Sequence, residues 1–419
     1  MVQQTAAAGA PGRHWIQSRG WDAFWIFSGL WAPLAVLLIH AAVSGGDLHA
    51  LREAPAFHQQ RFVLLFTSLA LLHRLSSIHA VLLSPVMRSE LRANPRRYLY
   101  VPLATFLLTL LLAEAFVFHP AFAFLGTQRG QLWAFFVLGI GYILWDRWHF
   151  CMQEFGVLSL YRARAEQRAT GDRVFDRVFV VCLMLGVNSL LYVNAGFGDD
   201  RDLLWLGTPL AALPGAPLHQ AALAACALAM LLTAAAVVRE ALHPRRSWPK
   251  LAYYLLIGSH SLILYLLPNA LSMFFLSYVF HHWMVAVGLF NLITVNSSEQ
   301  RSAAKRAFSY VLHVGPWFAA CLLLGMFFDP LDITARLTPI PNLHIFEGAS
   351  TLARVGVGLV IGSIFGFSFM HYYYDRCLYS FSVPGVRAAI GPLLLGKRQA
   401  SVPAAFPAAD GGVASAGSS

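Results

Sequence analysis

Histidines lie within or at the ends of the apolar stretches of this chain, where an ionisable side chain needs a partner or a functional reason to be present. Neutral imidazole is also the side chain that most often ligates metals in proteins. The histidines in question are His40, His73, His79, His149, His260, His281, His282, His313 and His371. Their number and positions predict a polar or metal-binding interior.

Two aspartates are spaced to share a helix face with a histidine. Asp146 lies three residues before His149, and Asp375 lies four residues after His371. Both spacings place two side chains on the same helical face. The carboxylate can then ligate the same metal or accept the ring N–H and so orient the imidazole. We expect all four residues to be metal ligands or to orient one; the alternative is an interfacial ion pair, because an arginine follows each aspartate.

The doublet His281–His282 lies within the apolar segment FLSYVFHHWMVAVGLFN, and Tyr278 precedes it by three residues. Each imidazole must find a partner there. Adjacent helical residues point about 100° apart, so one ring can ligate a metal while the other forms a hydrogen bond. We predict that His281 and His282 contribute metal ligands and that Tyr278 takes part in catalysis.

The segment LLHRLSSIH places His73, Arg74 and His79 in the second apolar stretch. An arginine at membrane depth needs a carboxylate, a carbonyl or an anionic substrate group. We predict that Arg74 orients an anionic group of the substrate; the alternative is a structural tie to Asp146 or to a neighbouring helix end. His73 and His79 are further ligand candidates, although a separation of six residues places them about 120° apart around a helix.

Depth along the helices, at about 1.5 Å per residue, predicts two polar layers. The deeper layer contains His73, His260, His281 and His282, and the layer nearer the cytoplasm contains His149, His313 and His371.

Ten apolar stretches must position these residues. Each has about 20 residues, which is enough to cross a hydrocarbon core of about 30 Å as a helix. They are residues 23–43, 61–85, 98–118, 130–150, 175–196, 218–238, 250–268, 270–295, 308–328 and 351–374. The fold class is therefore predicted to be all-α, a polytopic bundle of about ten transmembrane helices. Residues 1–20 form a tail, 21–398 a single membrane domain and 399–419 a tail rich in small residues.

Composition and charge support this assignment. Hydrophobic residues make up 58% of the chain and charged residues 12%, which excludes a soluble globular or nucleic-acid-binding protein. Most of the 30 basic residues precede the first stretch or follow an even-numbered one. By the positive-inside rule both termini are cytoplasmic. The Ala/Arg-rich composition suggests a bacterial cytoplasmic membrane, with the basic residues near anionic lipid head groups.

Motifs of several known enzyme classes are absent. The chain has neither the HxxxH and HxxHH boxes of membrane desaturases nor two histidines on one helix at the spacing that holds stacked hemes, so heme is not expected. HExxH, Walker A and GxSxG motifs are also missing, and none of the five cysteines forms a CxxC pair.

The leading hypothesis is a membrane-embedded, metal-dependent oxidoreductase related in chemistry to oxidases, hydroxylases or desaturases. Imidazoles with a minority of carboxylates suit iron or copper. The substrate would be a lipophilic or amphipathic small molecule that reaches the site from the membrane lipids. The alternatives are a proton-coupled secondary transporter and a non-catalytic membrane subunit of a complex.

Overall fold

The computed structural model describes residues 14–43, 72–82, 85–118, 128–167, 169–197, 215–266, 276–297, 351–379, 381 and 383–395. Nearly all of these residues are helical, and none of them lies in a β-strand. The all-α prediction is confirmed for this part of the chain. The side chain of His40 and the whole of His313 lie outside the described residues.

The described residues form twelve α-helices, and those linkers between them that are described are short. They are α1 (Arg19–Trp25), α2 (Ser28–Val43), α3 (72–82), α4 (Arg88–Ala93), α5 (Val101–Phe118), α6 (Gln128–Arg164), α7 (Thr170–Phe197), α8 (Gly215–Leu242), α9 (Trp248–Leu266), α10 (His281–Ser297), α11 (Thr351–Leu378) and α12 (Pro384–Leu395). The π-helical turns Arg96–Tyr100 and Leu276–Phe280 lead directly into α5 and α10.

Local sequence explains several helix starts. The Ser18 hydroxyl accepts the Trp21 N–H at 3.2 Å and caps α1, and the Ser247 hydroxyl accepts the Lys250 N–H at 3.4 Å before α9. Side-chain oxygens at such positions satisfy N–H groups that have no partner inside the helix. Proline occupies the first position of α12 at Pro384, where its missing N–H costs nothing.

The first predicted span, 23–43, contains a turn that separates α1 from α2. Asp22 lies in the first turn of α1, and its carboxylate is fully buried. It accepts the backbone N–H of Ile16 at 2.9 Å and the Tyr161 hydroxyl at 2.9 Å. These bonds hold α1 and the segment before it against α6.

Helix α6 continues well past the predicted fourth span, 130–150, and ends at Arg164. The continuation agrees with the basic amphipathic character of that part of the sequence. The number of spans and their orientation remain predictions; the predicted span 308–328 and most of the predicted span 61–85 lie outside the described residues.

Three helical segments of the described part are long and apolar enough to cross a membrane: Arg96–Glu114, His219–Leu242 and Ser277–Ser297. The apolar window of the third is 72% buried, against 22% and 28% for the other two. Helix α10 therefore contains the most buried of these three segments, and it contacts α1, α2, α6 and α12. Helix α5 packs along α11, and α8 packs along both α7 and α9.

Gly29 is a close-contact position between α2 and the turn that leads into α10. A Cβ atom at this position would lie 2.7 Å from the backbone oxygen of Ser277 and 3.2 Å from Cγ of His281. We expect Gly29→Ala to lower the free energy of unfolding by about 1–3 kcal/mol, because a backbone carbonyl cannot move away cheaply. The measurement is the thermal unfolding midpoint in detergent.

Gly156 in α6 is the matched control, because a Cβ atom there would meet no atom within 4 Å. Gly156→Ala should leave the protein as stable or stabilise it by about 0.4–1 kcal/mol. Equal midpoints for the two variants would contradict the close approach of α2 to the turn before α10.

Candidate metal centre

Three buried histidines from three helices converge on one point. His73 lies on α3, His149 on α6 and His371 on α11, with exposed fractions of 3%, 7% and 0%. Each offers one ring nitrogen, and these three atoms all lie within 4.8 Å of one another. The helices are far apart in sequence, so only the packing of the bundle brings these rings together.

The spacing of two of the nitrogens suits either a hydrogen bond between the two rings or joint coordination of one metal ion. Nε2 of His371 lies 3.2 Å from Nε2 of His149. Two imidazole nitrogens at about 2.0–2.1 Å from one metal are separated by about 2.9 Å for octahedral and about 3.3 Å for tetrahedral angles. The observed separation falls between these two values.

The outer side of His371 is held by two polar groups. Its Nδ1 lies 2.8 Å from the hydroxyl of Ser77 and 3.6 Å from a carboxylate oxygen of Asp375. The other oxygen of Asp375 lies 3.7 Å from Nε2 of His149. The contacts at Nδ1 fix the orientation of the His371 imidazole and leave its Nε2 facing His149. Asp375 thus lies beside His371, as the i,i+4 spacing predicted, and also beside Nε2 of His149.

His282 on α10 is the fourth histidine of this cluster. Its ring centroid lies 4.8 Å from that of His73 and 4.9 Å from that of His149. The ring stacks on Phe150 at 3.6 Å with an interplanar angle of 10°. Both ring nitrogens are buried without a hydrogen-bond partner among the residues that the structure describes. The side chain is therefore fixed by stacking while its nitrogens remain available to a ligand.

Asp146 lies beside the cluster and bonds elsewhere. It accepts the hydroxyl of Tyr372 at 2.5 Å and pairs with Arg147 at 2.9 Å. The Tyr372 ring lies 4.7 Å from that of His149. Asp146 thus holds Tyr372, an aromatic neighbour of His149. Its contact with Arg147 corresponds to the alternative given above, in which Asp146 forms an ion pair instead of binding a metal.

His281 faces away from His282, as expected for adjacent helical residues. Its Nδ1 lies 3.1 Å from the hydroxyl of Ser28, and its ring lies 6.0 Å from that of His260. Tyr278 donates its hydroxyl to the sulfur of Met184 at 2.8 Å. Neither His281 nor Tyr278 belongs to the group of three converging nitrogens.

The other two candidates lie on α3. The His79 ring packs against Phe290 at 5.5 Å, so it is also outside the group of three. Arg74 directly follows His73 and is half-buried.

The two predicted polar layers do not stay separate. The cluster combines His73 and His282, assigned to the deeper layer, with His149 and His371, assigned to the cytoplasmic one. Sequence reasoning missed Ser77 and Phe150, which contact the cluster. Only their positions near His73 and His149 in the sequence could have indicated them.

Three converging neutral imidazoles can hold a transition-metal ion such as iron, copper or zinc. Comparison with known proteins adds no family to this geometry: no family model, curated protein or solved structure matches the chain.

Proposed function

We propose that this protein is an integral membrane metalloenzyme whose buried histidine cluster binds iron or copper and oxidises a lipophilic substrate. The observation that carries the proposal is the convergence of His73, His149 and His371 within 4.8 Å in a bundle of apolar helices. Neutral imidazoles with one nearby carboxylate form a ligand set suited to these metals.

The membrane location is supported by the three apolar helical segments and by leucines that face outward from the bundle. Leu111 on α5 is 67% exposed and Leu231 on α8 is 69% exposed. Exposed leucines on several long helices are expected where a surface contacts lipid rather than water. We further propose that the chain crosses a bacterial cytoplasmic membrane ten times, as the apolar stretches predict, with both termini in the cytoplasm, as the charge pattern predicts.

Hydrogen bonding within the protein does not account for all the ring nitrogens of the cluster. Nδ1 of His73 and both nitrogens of His282 are buried without a hydrogen-bond partner in the described structure. Buried polar atoms normally have such a partner, so an exception calls for a ligand, an ion or water. A metal ion bound by the three converging nitrogens would satisfy the lone pairs that face each other. We assign His282 as an additional ligand or as a side chain that packs against the three ligands.

Iron or copper would supply the redox chemistry, and the protein would supply geometry and a dry site. Ser77 and Asp375 hold His371 in place, and Phe150 holds His282. We retain Arg74, beside His73, as the group that orients an anionic part of the substrate. The substrate class that fits this location is a lipophilic or amphipathic molecule that enters from the bilayer.

Metal analysis tests the proposal directly. Protein purified in detergent through a tag without histidines should contain a stoichiometric amount of iron or copper by mass spectrometry. Its optical spectrum should show no Soret band. Protein that stays metal-free after purification without chelators and after incubation with ferrous or cuprous ions would contradict the proposal.

A further inference from the structure

Glu154 on α6 is a buried carboxyl group that the metal cluster does not use. It has no exposed surface. The hydroxyl of Tyr253 on α9 donates to its Oε2, and its Oε1 has no hydrogen-bond partner in the described structure. Among the described residues, no lysine, arginine or histidine nitrogen lies within 4.0 Å of this carboxyl group. An ionised carboxylate would therefore be buried with a single neutral donor.

Burying a charge without a partner is strongly unfavourable, and the usual outcome is that the group becomes neutral. A neutral carboxylic acid at Glu154 removes this penalty. It also keeps the bond from Tyr253, because the carbonyl oxygen of the acid still accepts it.

Glu240 on α8 shows the opposite arrangement at the same degree of burial. It is 3% exposed, and its carboxylate lies 3.2 Å from Nζ of Lys250. It also accepts the side-chain N–H of Gln167 and the backbone N–H of Ser247, each at 2.7 Å. One cation and two N–H donors therefore surround this carboxylate. The chain thus contains two buried glutamates with different surroundings: a cation lies beside Glu240, whereas a single neutral hydroxyl donates to Glu154.

We infer that Glu154 and Tyr253 form a buried proton-holding site in which the Glu154 carboxyl group takes up and releases the proton. Glu154 lies beyond the predicted fourth span, 130–150, and burial raises the pKa of its carboxyl group to about 7. The hydrogen bond from Tyr253 lowers the pKa but by less than burial raises it. The proton is therefore exchangeable near neutral pH.

Few other titratable groups surround this pair. Cys151 lies one turn earlier on α6. The Tyr161 ring of α6 lies 5.9 Å from the Tyr253 ring, and the His281 ring of α10 lies 6.0 Å from it. None of these side chains contributes a fixed charge, so the burial of Glu154 is not offset by a neighbouring cation.

The site holds a proton whether or not a metal binds, and only its use as a proton source for the metal centre rests on the proposed function. A metal centre that reduced molecular oxygen would consume protons, and an apolar interior lacks bulk water to deliver them. A carboxyl group that exchanges its proton near neutral pH suits that task. Infrared spectra test the proton site, and metal analysis tests the metal centre, so the two proposals fail separately.

The experiment is an infrared difference spectrum of the intact protein against Glu154→Gln. The carbonyl stretch of a protonated carboxyl group should be present at about pH 5 and lost at about pH 9, and Glu154→Gln should remove it. Bands from other protonated carboxyl groups cancel in this difference. Glu240→Gln is the matched control and should remove no such band.

Thermal stability gives a second measurement that needs no band assignment. At about pH 5, glutamine replaces a neutral acid of the same shape in Glu154→Gln, so the unfolding midpoint should stay within a few degrees of that of the unmodified protein. Glu240→Gln should lower the midpoint clearly, because it breaks the pair with Lys250. The inference is overturned if Glu154→Gln leaves the protonated-carboxyl band intact or destabilises the protein as much as Glu240→Gln.

Discussion

His371→Asn is expected to weaken metal binding by more than about 100-fold, since loss of even an outer partner of a ligand costs about 10–100-fold. Asparagine can place its amide near the position of Nδ1 and keep the contact with Ser77, but it has no atom at the position of Nε2. Nε2 is the atom that lies 3.2 Å from the His149 nitrogen. The measurement is metal content by mass spectrometry, together with affinity from competition with a chelator.

His281→Asn is the matched control for this variant. Here Nδ1 makes the described hydrogen bond, with the hydroxyl of Ser28 at 3.1 Å, and asparagine can replace it. His281 lies outside the three converging nitrogens, so its variant should keep its metal. Loss of metal from both variants in equal measure, or from His281→Asn alone, would contradict the assignment of the centre to His73, His149 and His371.

Lys250→Met is expected to lower the free energy of unfolding by about 3–5 kcal/mol, the usual effect of removing one partner of a buried ion pair. Lys250 is 1% exposed, and its Nζ lies 3.2 Å from both Asp176 and Glu240. Asp176 keeps Arg162 at 2.6 Å as a partner, but Glu240 loses its cation. The loss should appear as a large decrease in the thermal midpoint in detergent.

The double variant Lys250→Met, Glu240→Gln should recover part of this loss, because it removes the uncompensated carboxylate together with the ammonium group. Arg92→Met supplies the surface control: Arg92 is exposed on α4, and its replacement should change stability by no more than about 0.5 kcal/mol. A Lys250→Met protein as stable as the Arg92→Met protein would show that α8 and α9 do not depend on this pair.

Helix periodicity predicted some side-chain contacts well and others incompletely. The i,i+4 spacing of His371 and Asp375 placed the ring and the carboxylate together, and they lie 3.6 Å apart. The i,i+3 spacing of Asp146 and His149 placed both near the cluster, but Asp146 bonds to Tyr372 and Arg147 instead. Spacing within a helix fixes which face two residues share, whereas the partner of each side chain depends on the helix packed against that face.

The sequence alone determined that the described chain is helical, that several helices are apolar enough to span a membrane and that histidines are concentrated within them. These properties follow from composition, hydrophobic length and the 3.6-residue period, which act along one segment at a time. Only the tertiary structure decided that His282 turns toward the cluster while His281 turns toward Ser28, since adjacent residues differ by about 100° and the packing of α10 fixes its rotation. It likewise decided that Glu154 meets a tyrosine and Glu240 a lysine, because those partners lie on other helices, far along the chain.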